Sequence, residues 1–311
     1  LIWRGPADVV IDSLYQCNAG ARLVGQTTGR EDTGKKSSPT YGATNGGQTD
    51  GIVFDGVGAE IKFLHSWGNR AGAGVTQYGG RVLGTLFVVE NNHFGGIQFL
   101  GGTGVLAVLK AHKNGGWVID FINAPGVYHE SSNVYHNSGQ TGTETNSHVI
   151  GCIQIEDNNS SGTLRAGVVH GIRLGPNSRH FICPSAHVSK QGVLPGHGCK
   201  IDAGAAYFNI TGVRVHGALG DTGGGVLSAG IHREGGGMGV IQAQTVGCAV
   251  GYRNAGPVTN LFLEHVEVLV SANIGQLVFD GIARANPGQM WRIFGRVGTT
   301  DVSVSGGQDA T

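Results

Sequence analysis

From residue 51 onward, apolar and polar residues alternate in short runs, and each run is stopped by glycine, asparagine or proline. Alternation over about four to eight residues is typical of a half-buried β-strand. Representative runs of a first set are GGIQFLGG (95–102), GCIQIEDNN (151–159), GHGCKIDAG (196–204) and AGIHREGG (229–236). A second set lies between them and includes FNITGVRVHG (208–217) and TNLFLEHVEV (259–268). The pattern therefore predicts many short strands and almost no helix.

The first set also has runs at 115–126, 170–177, 248–256 and 275–282, and most of its runs are separated by about 20–30 residues, which is the repeat length of solenoid proteins. Two or three short strands in each repeat predict an all-β fold, a right-handed parallel β-helix. A β-sandwich would need antiparallel hairpins with two-residue turns at regular spacing, and the sequence has no such series.

The beginning of the chain has a different pattern. In ADVVIDSLYQCNAG (7–20), Val9, Val10, Leu14 and Tyr15 have roughly helical spacing and a glycine follows, so the pattern predicts a short amphipathic helix. We expect a cap segment and polar loop over 1–50, the β-helix domain over 51–300 and a C-terminal tail over 301–311. No apolar run reaches transmembrane length, and no signal-peptide pattern opens the chain, so a membrane is not an expected partner.

Glycine is the most informative part of the composition, with 57 glycines but only 8 prolines among 311 residues. Without a Gly-X-Y period this excludes collagen and indicates frequent sharp turns. Charge is balanced, with 21 basic and 21 acidic residues, which argues against nucleic acid as the main partner. The 5 cysteines stand singly, which favours buried thiols, and the 13 histidines lack metal-site spacing, so we expect no metal and no cofactor.

The repeat over about residues 50–300 resembles the pectate-lyase-like β-helix superfamily, which includes polysaccharide lyases, polygalacturonases and the tailspikes of bacteriophages. The resemblance implies a helix that caps the first repeat, cleavage of a polysaccharide and, for a tailspike, a homotrimer. Of the polygalacturonase signatures only Gly196-His197-Gly198 is present, and there is no Asp-Asp pair. Pectin hydrolysis is therefore not supported.

Equivalent residues of successive repeats form columns, because parallel strands lie about 4.8 Å apart. We align the first set on its inward apolar residues, among them Ile97, Ile172, Cys199 and Ile231. The alignment places Arg173, Lys200, His232 and Gly251 in one outward column. A neighbouring column holds the acidic residues Asp120, Glu156, Asp202 and Glu234. Spacing of about 5 Å between Asp202 and Glu234 suits a retaining glycosidase, and spacing of about 9–10 Å between Glu156 and Asp202 lies near the upper limit for an inverting one.

We expect Glu156, Asp202 and Glu234 to be catalytic, with one raised pKa in the stack, and Arg173, Lys200 and His232 to bind an acidic sugar. The longest polar insertion (127–151) adds Tyr128 and Tyr135 as candidates for stacking on sugar rings. The alternative is that the carboxylates cap turns and the cations neutralise them.

Two further groups are expected to be structural. Asn92, His112 and His136 are predicted to form one column, in the manner of asparagine ladders. A second polar patch is more typical of a solvated sheet face, although His265 between two glutamates could act as a base; it contains Arg214, His216, Gln242, Gln244, Glu264, His265 and Glu267.

The expected function is binding and depolymerisation of a bacterial surface polysaccharide, of capsule or O-antigen type, by an extracellular or virion-tail protein. The alternatives are a secreted lyase or hydrolase unrelated to phage and a non-catalytic carbohydrate-binding adhesin.

Overall fold

The computed structural model describes residues 1–4, 8–17, 50–69, 73–92, 95–114, 129–137, 147–156, 167–189, 196–218, 228–234, 239–255, 263–269, 277–279, 290–297 and 300–307. These residues form strands and turns, with no helix among them and hence none that could cross a membrane. The strands are β1 (Ile2–Arg4), β2 (Val9–Cys17), β3 (Ile52–Asp55), β4 (Gly58–Trp67), β5 (Ala73–Glu90), β6 (Gly95–His112), β7 (His129–His136), β8 (His148–Glu156), β9 (Gly167–Leu174), β10 (Phe181–Cys183), β11 (Ala186–Val188), β12 (Cys199–Ile201), β13 (Phe208–His216), β14 (Ala229–Arg233), β15 (Gly239–Val246), β16 (Val250–Asn254), β17 (Leu263–Leu269), β18 (Leu277–Phe279), β19 (Met290–Val297) and β20 (Thr300–Gly307).

The first eighteen strands form one hydrogen-bonded system of parallel strands. Within it the strands are arranged in two stacks, and the polypeptide passes from one stack to the other and back. The first stack runs β1–β3–β5–β6–β7–β9–β12–β14–β16–β18. The second runs β2–β4–β5–β6–β8–β10/β11–β13–β15–β17. We use the word rung for one strand of the first stack and the strand of the second stack that follows it. The all-β class and the parallel pairing confirm the prediction, and the arrangement is compatible with a parallel β-helix.

β5 and β6 supply whole rungs because each runs through both stacks without a break. Glycine makes the bend in each strand possible: Gly80 has a φ of +73° and Gly102 a φ of +85°. At Gly80 a Cβ atom would also collide with the backbone of Val57 in the preceding rung. Both features exclude a larger residue.

Alternating side chains of both stacks point inward and form one apolar core. In the first stack the register aligns Ile97, Val134, Ile172, Cys199 and Ile231, and all are at most 1% exposed. The alternation predicted Ile97, Ile172, Cys199 and Ile231 correctly as inward residues. Burying a side chain of this kind stabilises the fold by about 1.5–3 kcal/mol.

The amphipathic helix predicted near the start of the chain is wrong, because Val9–Cys17 is strand β2 and pairs with β4. Its half-buried residues include Val9, Ile11, Leu14 and Gln16, so the spacing changes from two to three at Asp12 and Ser13. A strand with such an irregularity imitates helical spacing, while the β-branched residues Val9 and Ile11 favour a strand. Of the polar loop expected over 29–50, residues 29–49 lie outside the described residues.

The last two strands depart from the parallel pattern. β19 and β20 pair antiparallel in register from Met290↔Gly307 to Val297↔Thr300. Strand β20 therefore occupies most of the segment that the sequence indicated as a C-terminal tail.

Candidate functional site

Five successive rungs bring one outward column of the first stack into register. Tyr135 of β7 aligns with Arg173 of β9, which aligns with Lys200 of β12, His232 of β14 and Arg253 of β16. The predicted adjacency of Arg173, Lys200 and His232 is thus confirmed. The sequence alignment missed Arg253, because it placed Gly251 in this column.

Asp202 is the centre of the charge cluster on this column. Both Nε and an Nη atom of Arg173 donate hydrogen bonds to its Oδ2, at 2.9 and 2.7 Å. The Nζ atom of Lys200 lies 3.6 Å from its Oδ1. The Asp202 side chain is 4% exposed, and its Oδ1 accepts no hydrogen bond from any residue in the described part of the chain. Asp202 is therefore a buried anion held between two cations.

Glu234 is the carboxylate of the cluster that reaches solvent, with 38% of its side chain exposed. It follows β14, and its backbone N–H donates to Ile201 of the preceding rung, one residue before Asp202. Its Oε1 lies 3.1 Å from Lys200 Nζ and 4.0 Å from His232 Nε2. The two carboxylates predicted to be neighbours are thus on adjacent rungs, with the Lys200 ammonium between them.

His232 carries no proton at neutral pH, because burial and the Lys200 charge lower its pKa to about 4. Its ring stacks on His197 at 4.1 Å between centroids, and His197 stacks on His170 at 5.1 Å. The Nδ1 atom of His232 is buried and has no hydrogen-bond partner among the described residues. A neutral imidazole with an unused nitrogen therefore lies beside the cluster.

His197, the centre of Gly-His-Gly, is part of the framework below the cluster. Its backbone N–H donates to Nδ1 of His170, and its own Nδ1 accepts from the backbone N–H of Ala229, both at 2.9 Å. An Nδ1 acceptor requires the neutral ring with its proton on Nε2. Burial, followed by the charge effect of His170, holds the pKa of His197 well below its usual value. This histidine links rungs and is 4% exposed.

Glu156 does not lie where the sequence alignment placed it. It ends β8 in the second stack, where its register partner is His112 of β6. Asp202 follows β12 in the first stack, so the expected spacing of Glu156 and Asp202 on one column is wrong. GCIQIEDNN has the same alternation as the first-stack runs, but its Gln154 aligns with Lys110 and His187 of the second stack.

The polar insertion expected over 127–151 contains strand β7, and this strand positions Tyr135 at the cluster. The Arg173 Cζ atom lies 5.5 Å from the centre of the Tyr135 ring, within cation–π distance. Tyr128 and Asp120 lie outside the described residues. The sequence missed β7 because it carries few apolar residues; Val134 and His136 are its buried anchors.

The column predicted from Asn92, His112 and His136 is wrong as a group. Asn92 belongs to a ladder in which Asn69 donates to Asn92 at 2.6 Å and Asn92 donates to Asn114 at 2.8 Å. This confirms the structural role expected for Asn92, with different partners. His112 lies on the outer face of the second stack, whereas His136 is fully buried.

The interior also holds a row of hydrogen-bonded polar side chains that the sequence did not indicate. Ser178 contacts Nδ1 of His136, whose Nε2 lies 2.9 Å from Nδ1 of His148, and Nε2 of His148 lies 3.2 Å from Oε1 of Gln77. Since Gln77 Nε2 already donates to the carbonyl oxygen of Thr103, its Oε1 is the acceptor for His148. Donors and acceptors then alternate along this hydrogen-bonded row, and the Ser178 hydroxyl donates to His136 at the end opposite Gln77.

Fold and cluster together define an all-β protein with a long parallel sheet and a half-buried set of charged side chains on one outward column. Comparison of the chain with protein-family models, with curated proteins and with solved structures finds no match.

Proposed function

We propose that this chain binds and cleaves an acidic polysaccharide along the outward column of its first stack, on a right-handed parallel β-helix. The observation that carries the proposal is the register of Tyr135, Arg173, Lys200 and His232, which gathers chemically active side chains from four rungs onto one line. An extended sugar chain is a ligand that matches a site repeated from one rung to the next.

Arg173 and Lys200 are the groups for the acidic substituents of the sugar. Asp202 fixes both cations, since it accepts two hydrogen bonds from Arg173 and lies 3.6 Å from Lys200. A cation held in place loses little side-chain entropy on binding, which favours affinity. Tyr135 extends this surface with an aromatic ring beside Arg173.

Glu234 is the proposed proton-transfer group because it combines exposure with contacts to Lys200 and His232. Asp202 is unsuited to that role, since its side chain is 4% exposed and its two oxygens lie against Arg173 and Lys200. Two cations beside a uronate favour elimination: a base removes the proton next to the carboxylate and its electron pair forms a carbon–carbon double bond. The bond to the glycosidic oxygen breaks, and that oxygen takes up a proton.

Glu234→Gln tests this role against the matched variant Glu156→Gln, which changes an exposed carboxylate at a strand end of the other stack. On capsule and O-antigen panels we expect the wild type to release fragments, Glu234→Gln to lose at least about a hundredfold in rate, and Glu156→Gln to remain active. Ultraviolet absorbance of an unsaturated uronate in the products separates elimination from hydrolysis. Wild-type protein that neither binds nor cleaves any acidic glycan contradicts the proposal.

A second candidate is non-catalytic binding, as in an adhesin. It is favoured by the burial of Asp202 in its ion pairs, which leaves Glu234 as the one partly exposed carboxylate among the described residues of the cluster. Glycan binding without product, unchanged in Glu234→Gln but weakened in Arg173→Gln, would support this function over cleavage.

The proposed setting is a homotrimeric bacteriophage tailspike, with a free secreted lyase or hydrolase as the alternative. The resemblance in repeat pattern supports it. Light scattering of the purified protein distinguishes a trimer from a monomer, and a monomer that cleaves glycans would favour the secreted enzyme.

A further inference from the structure

The outer face of the second stack has a bend at which two consecutive residues point outward. From β4 onward the second of these residues forms a column through the register: Phe63, Leu86, Val108, Cys152, Ser185 and Gly212. In the first three of these rungs a large apolar side chain fills the bend. In the later rungs the column shrinks to a hydroxymethyl group and then to a hydrogen atom.

The bend disappears one rung later. Pairing of β13 with β15 shifts register between Ile210 and Val213, and Gln242 is the one exposed residue between buried Ile241 and Ala243. Loss of one residue together with the small Ser185 and Gly212 leaves an open groove with a volume of about 480 Å³. The groove is thus a consequence of the sequence of three adjacent rungs.

Polar side chains line this groove. His187, Arg214 and Gln244 align in register along one side, and Gln242 lies over the position of the lost residue. Arg214 and Gln242 are exposed, and none of the described residues that line the groove is acidic. Planar amide and guanidinium groups over a shallow floor suit hydroxyl and carboxylate groups held in fixed directions.

We propose that this groove is a second saccharide site, which binds one or two residues of an acidic oligosaccharide with its carboxylate on Arg214. The choice of ligand class rests on the proposed function, because an extended acidic polysaccharide cleaved on the first stack can also reach the second. None of the described residues that line the groove supplies a carboxylate for proton transfer, so the role we propose for it is binding without cleavage.

The test uses a panel of uronic-acid oligosaccharides, each paired with its carboxyl-reduced form, and the full chain. Calorimetry gives affinity, and hydrogen–deuterium exchange of the amides around 185–187, 211–214 and 242–244 locates the site. We expect protection of these amides by the acidic form, and a loss of affinity at the groove of about tenfold or more in Arg214→Gln. Lys110→Gln is the matched control: it lies on the same outward column, in a rung whose bend Val108 fills, and it should bind as the wild type does.

Ser185→Leu restores the apolar filling that Leu86 provides earlier in the column, and should abolish the protection without removing any charged group. Protection that survives both Arg214→Gln and Ser185→Leu, or equal binding of the carboxyl-reduced forms, would overturn the proposal. Binding lost only in Arg173→Gln would leave the proposed function standing and reject the groove. Protection at the groove with no cleavage of any glycan would support the groove and reject the proposed cleavage.

Discussion

At the scale of single residues, Asp202 connects groups from different rungs. It accepts two hydrogen bonds from Arg173 of one rung, and Lys200 of its own rung links it to Glu234 of the next. Removing the charge would leave two half-buried cations without their shared anion. A surface pair such as Asp12–Lys62 makes a contact of 2.6 Å, but both of its side chains are largely exposed. Burial therefore distinguishes the two ion pairs more than distance does.

Asp202→Asn should lower the free energy of unfolding by about 3 kcal/mol, because breaking a buried ion pair strands its partners. Asp12→Asn, which breaks the exposed pair, should leave it unchanged within error. Urea unfolding followed by circular dichroism measures both. Equal losses in the two variants would show that Asp202 does not organise the cluster.

The sequence located most of this cluster because Cys199, Ile231 and Ile172 identify the inward positions, and the residue after each one must then point outward. It misplaced Glu156 because strands of both stacks alternate with the same period of two. Nothing in that alternation tells to which stack a run belongs, and only the hydrogen-bond register decides it.

At the scale of strands, one register position of the first stack requires glycine. Gly171, Gly198 and Gly230 lie in register, each directly before an inward apolar residue. A Cβ atom on Gly198 would lie 2.7 Å from the carbonyl oxygen of Gly230 and would collide with the side chain of Val215 in the second stack. Close approach of the two stacks at this corner is what requires the hydrogen side chain.

Gly198→Ala should cost about 2 kcal/mol of stability, since both the neighbouring rung and the opposite stack resist displacement. Gly79→Ala is the control, because a Cβ atom there finds its nearest neighbours at an ordinary 3.5 Å. Thermal unfolding should show a clear decrease only for the first variant. A similar small change in both would mean that the corner can expand.

Whole rungs were easier to foresee than their boundaries. Strong alternation identified the strands around Ile97, Ile172 and Ile231, whereas β2 and β7 escaped notice for opposite reasons. The irregularity at Asp12 gave β2 the apolar spacing of a helix, and β7 is too polar to stand out. In both cases pairing with a neighbouring strand, which the sequence does not display, determines the structure.

At the scale of the whole molecule, several histidine rings are shielded from solvent. Among the residues whose burial the structure describes, five histidines are buried: His136, His148, His170, His197 and His232. Burial lowers the pKa of His148 to about 3 and that of His232 to about 4, and holds those of His136 and His197 well below the usual value. The folded state therefore favours the neutral rings.

The contribution of these histidines to the free energy of unfolding should be fully present above about pH 6.5, where the unfolded chain also carries neutral histidines. It should fall as the pH decreases toward the lower pKa values of the folded state. Each such histidine lowers the free energy of unfolding by about 1 kcal/mol for each unit of decrease in pH within that range. Thermal unfolding between about pH 7.5 and pH 5.5 measures the slope, which His148→Gln should reduce because glutamine can replace both ring hydrogen bonds. His112→Gln, on the outer face, should keep the slope, and a wild-type stability independent of pH in this range would contradict the expectation.

The chain from Ser178 through His136 and His148 to Gln77 has a further consequence. Every nitrogen in it has a fixed role, with Ser178 donating at one end and the Gln77 amide oxygen accepting at the other. An amide oxygen carries no proton that it could release, so this row of rings does not conduct protons from one end to the other. It ties distant rungs together while keeping charge out of the middle of the protein.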